Sequence, residues 1–234
     1  MSATITSIAG GAPKPVFDIL GPRFAQATGH TLNALYDSMA GIAARVAQGE
    51  AFDVLVMPVP SIETYVNDRI VRPEGRAALA NIGLAVGVTA GSTVPDVSTP
   101  AALRRALRDA RAVVHAPPSA TPSGAQSDKI IRELGLAGEL AGRVLHKVGL
   151  AGGLAAIASG EAALGVFPKS EIVSAKGVAL AGPLPPELQL IITYGAGVTT
   201  QSPQPDAAAA FIRFASAPEN LAVWTNCGFD PPTP

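Results

Sequence analysis

The sequence predicts an α/β protein of mostly parallel strands wrapped by helices, in one large domain or in two lobes of roughly 100 residues each. Three observations support this. Short β-branched runs alternate with stretches of helical spacing along the chain. Of 234 residues, 48% are hydrophobic and only 15% charged, which gives enough apolar surface for cores and excludes a disordered chain. That apolar content is mostly Ala, Val, Leu and Ile with few aromatics, as suits helices packed on buried strands.

Thr4–Ala9 reads as the first strand. Gly10-Gly11-Ala12-Pro13 turns it into a helix running to Thr28, with Val16, Ile19, Leu20 and Phe24 at helical spacing and Gly29 as its stop. Thr31–Tyr36 is the second strand; Asp37-Ser38 caps a helix over 40–48, and Gly49 ends it. A third strand covers 53–57, and Pro58-Val59-Pro60 leads into a short helix over 61–67. The middle of the chain reads as a strand at 82–89, a loop at 91–100, a helix at 101–109 opened by Thr99-Pro100, and a strand at 112–115. A polar loop at 116–124 then leads to a helix at 125–134. Strands follow at 143–147, 164–167, 178–180 and 190–198, with a helix at 152–159 and a helical turn from Pro168-Lys169-Ser170. Two helices, 205–215 and 218–226, close the chain.

The net charge of −1 and the lack of Lys/Arg runs exclude a broad nucleic-acid surface, while a local anion site needs only a few donors. Cys227 is the single cysteine, so there is no internal disulfide, and neither it nor His30, His115 and His146 has metal-ligand spacing. No metal or cofactor is expected. No uncharged run reaches the ~18 residues needed to span a bilayer. Met1-Ser2-Ala3 enters the first strand without a signal-peptide pattern, so the expected compartment is the cytoplasm if Met1 is the native start and the periplasm if a leader has been removed.

In open α/β sheets, ligands bind beyond the carboxyl ends of the strands. Four such ends here run into small or hydroxyl-bearing segments: Gly10-Gly11-Ala12-Pro13-Lys14, Asp37-Ser38-Met39-Ala40-Gly41, Ser119-Ala120-Thr121-Pro122-Ser123-Gly124, and Pro168-Lys169-Ser170. Each precedes a helix start, where unpaired N–H groups and a partial positive charge favour an anion. Each is also what ordinary helix capping looks like; their recurrence makes them candidates. Gly152, opening a Gly-flanked helix, joins them. Lys14 and Lys169 both sit in a first helical turn, which the helix dipole disfavours, so anion contact is one reading and exposure to solvent the other. His115 ends a strand and suits either an acid/base or a structural role. Asp37 reads as a cap and Asp53 as structural, while Glu171 either orients Lys169 or extends into water. Gly-x-Ser-x-Gly, a Walker loop and a dinucleotide fingerprint are absent.

Several strings in order resemble the molybdate-binding proteins of ABC transporters, within the type II periplasmic-binding-protein fold. They are Phe24-Ala25-Gln26-Ala27-Thr28-Gly29-His30, the stretch 42–50 followed by Phe52-Asp53-Val54-Leu55-Val56, Thr121-Pro122-Ser123-Gly124, the stretch 160–167, Ser174-Ala175-Lys176-Gly177-Val178, and 210–214 through Gly228-Phe229. The resemblance implies two lobes joined by two crossing strands, 1–82 plus 196–234 and 83–195. It implies a small anion held in the cleft by hydroxyls and N–H groups and an ABC-transporter permease as partner; a monomer is expected, since nothing in the sequence suggests a coiled-coil or swapped partner. The candidate ligand residues depart from the family pattern. Gly10-Gly11-Ala12 stands where the family has a serine pair and Pro168-Lys169 where it has a tyrosine, although Ser38 is kept. Smaller side chains and two lysines suit a di- or tricarboxylate. Gly-Gly-Ala-Pro-Lys and Ala-Thr-Pro-Ser-Gly further resemble aconitate isomerase-like proteins, enzymes on the same scaffold. That likeness implies an alternative, a cofactor-free allylic proton shift with His115, Lys14 or Lys169 as acid/base.

Overall fold

The structure, a computed structural model, describes residues 2–232; Met1, on which the expected compartment turns, lies outside the described residues with Thr233 and Pro234. The chain forms two compact units, 1–82 with 192–234 and 83–191.

Unit 1 opens with β1 (Thr4–Ala9), α1 (Lys14–Thr28), β2 (Thr31–Tyr36), α2 (Met39–Ala47), β3 (Val54–Pro58) and α3 (Val59–Asn67). β1 pairs in parallel with β2 on one side and β3 on the other, from Thr4 opposite Thr31 and Ser7 opposite Val54. The expected stop of α1 is present: Gly29 has φ 76° and donates its N–H to Ala25 O, a left-handed cap that glycine adopts without a Cβ clash. Asp53 proves structural. Its carboxylate accepts from Thr6 N at 2.8 Å and from the Ser202 hydroxyl, tying β3 to β1 and to the chain after β9.

β4 (Val71–Thr89) is far longer than the strand expected at 82–89. Its first half hides in the sequence because 73–76 is exposed, with Glu74 and Arg76 in it, and only Val71, Leu79 and Ala80 are buried there. The chain leaves unit 1 inside this strand, after Ile82.

Unit 2 continues with α4 (Pro100–Asp109), β5 (Val113–His115), α5 (Pro122–Glu133), β6 (Val144–His146), α6 (Ala155–Ala158), β7 (Leu164–Pro168), α7 (Lys169–Ser174) and β8 (Val178–Pro183). Its sheet runs β8-β4-β7-β5-β6, with β5 parallel to β6 and β7, and β4 antiparallel to β7 and β8. Alternation along the strands sorts the core: Leu84, Val86, Val88 and Val113 pack with Leu103, Leu107 and Ile130 on one face, and Ala85 and Val114 pack with Leu154, Ile157 and Phe167 on the other. The helix expected at 152–159 instead begins as a π-helical turn, Leu150–Leu154. A Cβ on Gly153 would lie 2.2 Å from Phe167 Cζ, so the wide turn and the missing side chain admit that ring against the backbone. After β8, the Gln189 side chain acts as a strand partner, accepting from Leu84 N at 2.8 Å and donating to Leu84 O at 3.0 Å.

β9 (Ile191–Thr199) carries the chain back into unit 1, where it pairs antiparallel with β3, Tyr194 opposite Pro58. α8 (Pro205–Ser216) follows, then a 3₁₀ turn and α9 (Leu221–Asn226), so the expected helix over 218–226 is helical in the α sense only in its second half. Phe17, Phe24, Phe211, Trp224 and Phe229 stack edge to face at 5.0–6.1 Å, a favoured aromatic geometry. Ile8, Ile42, Leu55, Met57 and Ile62 form a separate core cluster.

Candidate functional site

In unit 1 the chain leaves β1 at Gly10, where a Cβ would meet Met39 Cε at 2.7 Å and the Tyr194 hydroxyl at 3.0 Å. Gly10 is therefore small because two side chains, from α2 and β9, approach its backbone. Gly11 O accepts from Lys14 N at 3.1 Å, closing the turn into α1, and Ala12 is buried. Ser38 is the N-cap of α2, its hydroxyl accepting from Gly41 N at 3.0 Å, and Ser38 N donates to Asp37 Oδ1 at 2.7 Å. A Cβ on Gly41 would fall 2.1 Å from that Asp37 oxygen. Gly10, Gly11, Ala12, Ser38 and Met39 thus gather at one end of the unit 1 sheet, and Tyr194 joins them. The sequence had no signal for Tyr194, because only the register of β9 on β3 brings it there.

Lys14 stands apart from this group. Its ammonium pairs with Asp18 at 2.7 Å and lies 5.4 Å from the centre of the Tyr36 ring. These residues line a surface groove of about 550 Å³ along α1 and β2. The i,i+4 spacing on α1 makes the pair. Burial raises the Tyr36 phenol well above its usual range, with Asp18 adding to the effect. A better enclosed cavity of about 290 Å³ lies at the opposite end of the unit 1 sheet, lined by Phe52, Asp68, Arg69 and Thr199 among others. It is remote from the strand ends that carry the small and hydroxyl side chains.

In unit 2, Thr121 caps α5 through its hydroxyl, which accepts from Gly124 N at 3.0 Å and lies 3.0 Å from Ser123 Oγ. The helix starts earlier than expected, so Ser123 and Gly124 belong to its first turn. A Cβ on Gly124 would sit 2.5 Å from both Ala116 O and Pro117 O, so the segment after β5 packs directly on the helix backbone. Ser119 is exposed in the turn before it. Gly152 lies within the π-helical turn. Pro168 ends β7, and Ser170 is fully buried at the start of α7. Lys169 is half-buried, and among the described residues its ammonium has neither hydrogen bond nor ion pair.

His115 is 1% exposed. Its Nδ1 lies 2.8 Å from Ala116 O, and its Nε2 is buried without a partner. The ring stacks edge to face on exposed His146 at 4.9 Å. Desolvation lowers its basicity, and the neighbouring His146 lowers it further. Sealed in this way, the imidazole is a neutral member of the unit 2 interior. Glu171 neither orients Lys169 nor extends into water: it is 7% exposed, and its carboxyl has no partner among the described residues. Desolvation raises its pKa to about 7. Burial likewise pushes the Cys227 thiol up. Among the described residues, no group of three or more His, Cys, Asp or Glu could hold a metal, and no helix is long and apolar enough to cross a membrane.

The sequence profile of the bacterial extracellular solute-binding proteins matches residues 5–230. A curated relative, aconitate isomerase from Pseudomonas sp., is 24% identical over 234 positions, covering 97% of this chain and 88% of that protein. Among solved structures, the periplasmic molybdate-binding protein of Azotobacter vinelandii superposes with a TM-score of 0.83 at 21% identity, over 98% of this chain and 100% of that one. The sulfate-binding protein of Mycobacterium tuberculosis gives 0.77 at 20% identity, over 99% and 88%. These likenesses carry the type II periplasmic-binding-protein fold.

Proposed function

The chain belongs to the bacterial extracellular solute-binding proteins, and on that premise we propose that it binds a small di- or tricarboxylate for delivery to an ABC-transporter permease. The observation that carries this reading is Lys169, a half-buried cation at the head of α7 with no partner among the described residues. Burying an ammonium in part and leaving it unpaired is unfavourable unless a counter-charge arrives. The strand-end loops of unit 1 are sparse in hydroxyls. Gly10, Gly11 and Ala12 offer no side-chain donor, and Ser38, like Thr121 in unit 2, has its oxygen engaged as a cap. A tetrahedral oxyanion needs a close shell of donors, whereas a polycarboxylate needs room and a cation. Lys14, tied to Asp18, is the weaker of the two lysine candidates.

The likeness to an aconitate isomerase favours a second reading, turnover of the same class of solute. A base removes a proton next to a carboxylate, and the proton returns at the far end of the allylic system, with no cofactor. Of the three acid/base candidates, His115 is sealed and Lys14 is paired, so this reading rests on Lys169.

A thermal-shift screen with molybdate, tungstate, sulfate, phosphate, citrate and both aconitates tests the binding reading. The carboxylates are expected to raise the melting temperature, and a rise with tetrahedral oxyanions alone refutes it. Proton NMR of trans-aconitate over hours with the protein tests turnover; an unchanged spectrum rules the isomerase out.

A further inference from the structure

Among the described residues, Arg69 is the one non-glycine with a positive φ, at 60°; every other left-handed position is a glycine. A Cβ in this conformation crowds the following carbonyl, a cost that glycine avoids. Arg69 follows Asp68, the C-cap of α3, which has φ −79°. Arg69 N donates to Val66 O at 3.0 Å and Ile70 N to Tyr65 O at 2.8 Å, the paired bonds that commonly end a helix on glycine. Thr200, just past β9, holds the turn: its N–H donates to Ile70 O at 2.8 Å and its hydroxyl to Arg69 O at 3.0 Å. Residue 69 enters these bonds through its backbone alone, so glycine there would keep them. What the strained position retains over glycine is the arginine side chain.

Arg69 lines the cavity of about 290 Å³ in unit 1, together with Val46, Glu50, Phe52, Asp68 and Ile70. Glu50 is neutralised by Arg45, which grips both carboxylate oxygens at 2.6 and 2.7 Å. Asp68 and Arg69 are consecutive, yet they make no ion pair with each other, and neither side chain has a hydrogen bond or ion pair elsewhere among the described residues. One exposed, solvated charge is ordinary. Two unpaired charges of opposite sign on one partly apolar cavity, one of them kept at a conformational cost, match a solute that carries both signs. A bare anion would meet Asp68 as well as Arg69, and a bare cation the reverse.

We propose that this cavity is a second binding site, for a small zwitterion with an apolar body, the chemistry of an aliphatic amino acid. Arg69 takes the carboxylate in a forked, charge-assisted pair, Asp68 takes the ammonium, and Val46, Phe52 and Ile70 cover the side chain. The cavity lies at the opposite end of the unit 1 sheet from Gly10 and Ser38, so its occupation is independent of anion binding at the strand-end loops.

The test uses three probes: L-leucine, isocaproate, which lacks the ammonium, and isoamylamine, which lacks the carboxylate. Each is titrated into the intact isotope-labelled protein while the backbone amides of residues 68–70 and 199–201 are followed by NMR. Leucine is expected to shift these amides saturably, and each analogue to bind at least about 10-fold more weakly, since it leaves one charged group of the protein unpaired. Arg69→Gly is expected to raise the melting temperature by about 2–4 °C, which reports that it folds, and to weaken leucine at least about 10-fold. Asp68→Asn should weaken leucine by a similar factor. No leucine-dependent shift at these amides, isocaproate binding as tightly as leucine, or unchanged leucine affinity in either variant overturns the proposal. So does an Arg69→Gly protein no more stable than wild type, because arginine then bears no cost at that position. None of these outcomes alters the polycarboxylate screen, which reads the strand-end loops.

Discussion

Replacing Glu171 by Gln should change how stability responds to pH. In the unfolded chain this carboxyl ionises near 4.5, and in the folded protein near 7, because burial disfavours the charge. Between those values the native state holds a proton that the unfolded state has lost, so each rise in pH lowers stability. The penalty is absent below about pH 4.5 and complete above about pH 7. At about 1.36 kcal/mol per pH unit, the displacement amounts to about 3 kcal/mol. Glutamine has the same shape and no charge, so Glu171→Gln should behave nearly as wild type at about pH 4.5 and be about 3 kcal/mol more stable at about pH 8. Urea unfolding of both proteins at the two pH values measures this directly. A stability difference that is the same at both would show that the carboxyl is solvated or paired, and would refute the desolvation reasoning.

Three further outcomes follow from individual contacts. Ser7, fully buried in β1 with its hydroxyl unpartnered, should give a Ser7→Ala variant about 1 kcal/mol more stable, read as a higher melting temperature. Gly124→Ala should destabilise by about 1–3 kcal/mol in chemical denaturation, since its Cβ would collide with two backbone oxygens that cannot retreat independently of β5. Gln189→Leu leaves Leu84 N without its acceptor and should lose about 1–3 kcal/mol, with faster amide exchange at Leu84 than elsewhere in β4 as the local signature.

Much of the fold was legible from sequence. Strand-turn-helix periodicity, the Gly29 stop, the Ser38 and Thr99 caps and the structural role of Asp53 were all readable, because each depends on residues close in the chain or on a residue type with one dominant habit. The first half of β4 was not. Its exposed polar residues lack the apolar alternation that marks a half-buried strand, and pairing partners far along the chain make it extended. The π-helical turn was hidden for a similar reason: it exists to admit the Phe167 ring, which no local pattern announces.

The candidate site divides along the same line. By itself the sequence determined that small and hydroxyl-bearing loops would follow the strands, since helix starts demand caps and close approach demands glycine. Tertiary structure alone decided which of the charged and hydroxyl groups remain available. It tied Lys14 to Asp18, sealed His115 within unit 2, brought Tyr194 to Gly10, and left Lys169 and Glu171 without partners among the described residues. Pairing and burial depend on what the fold places alongside a side chain, and that neighbour is set by packing across elements distant in the chain.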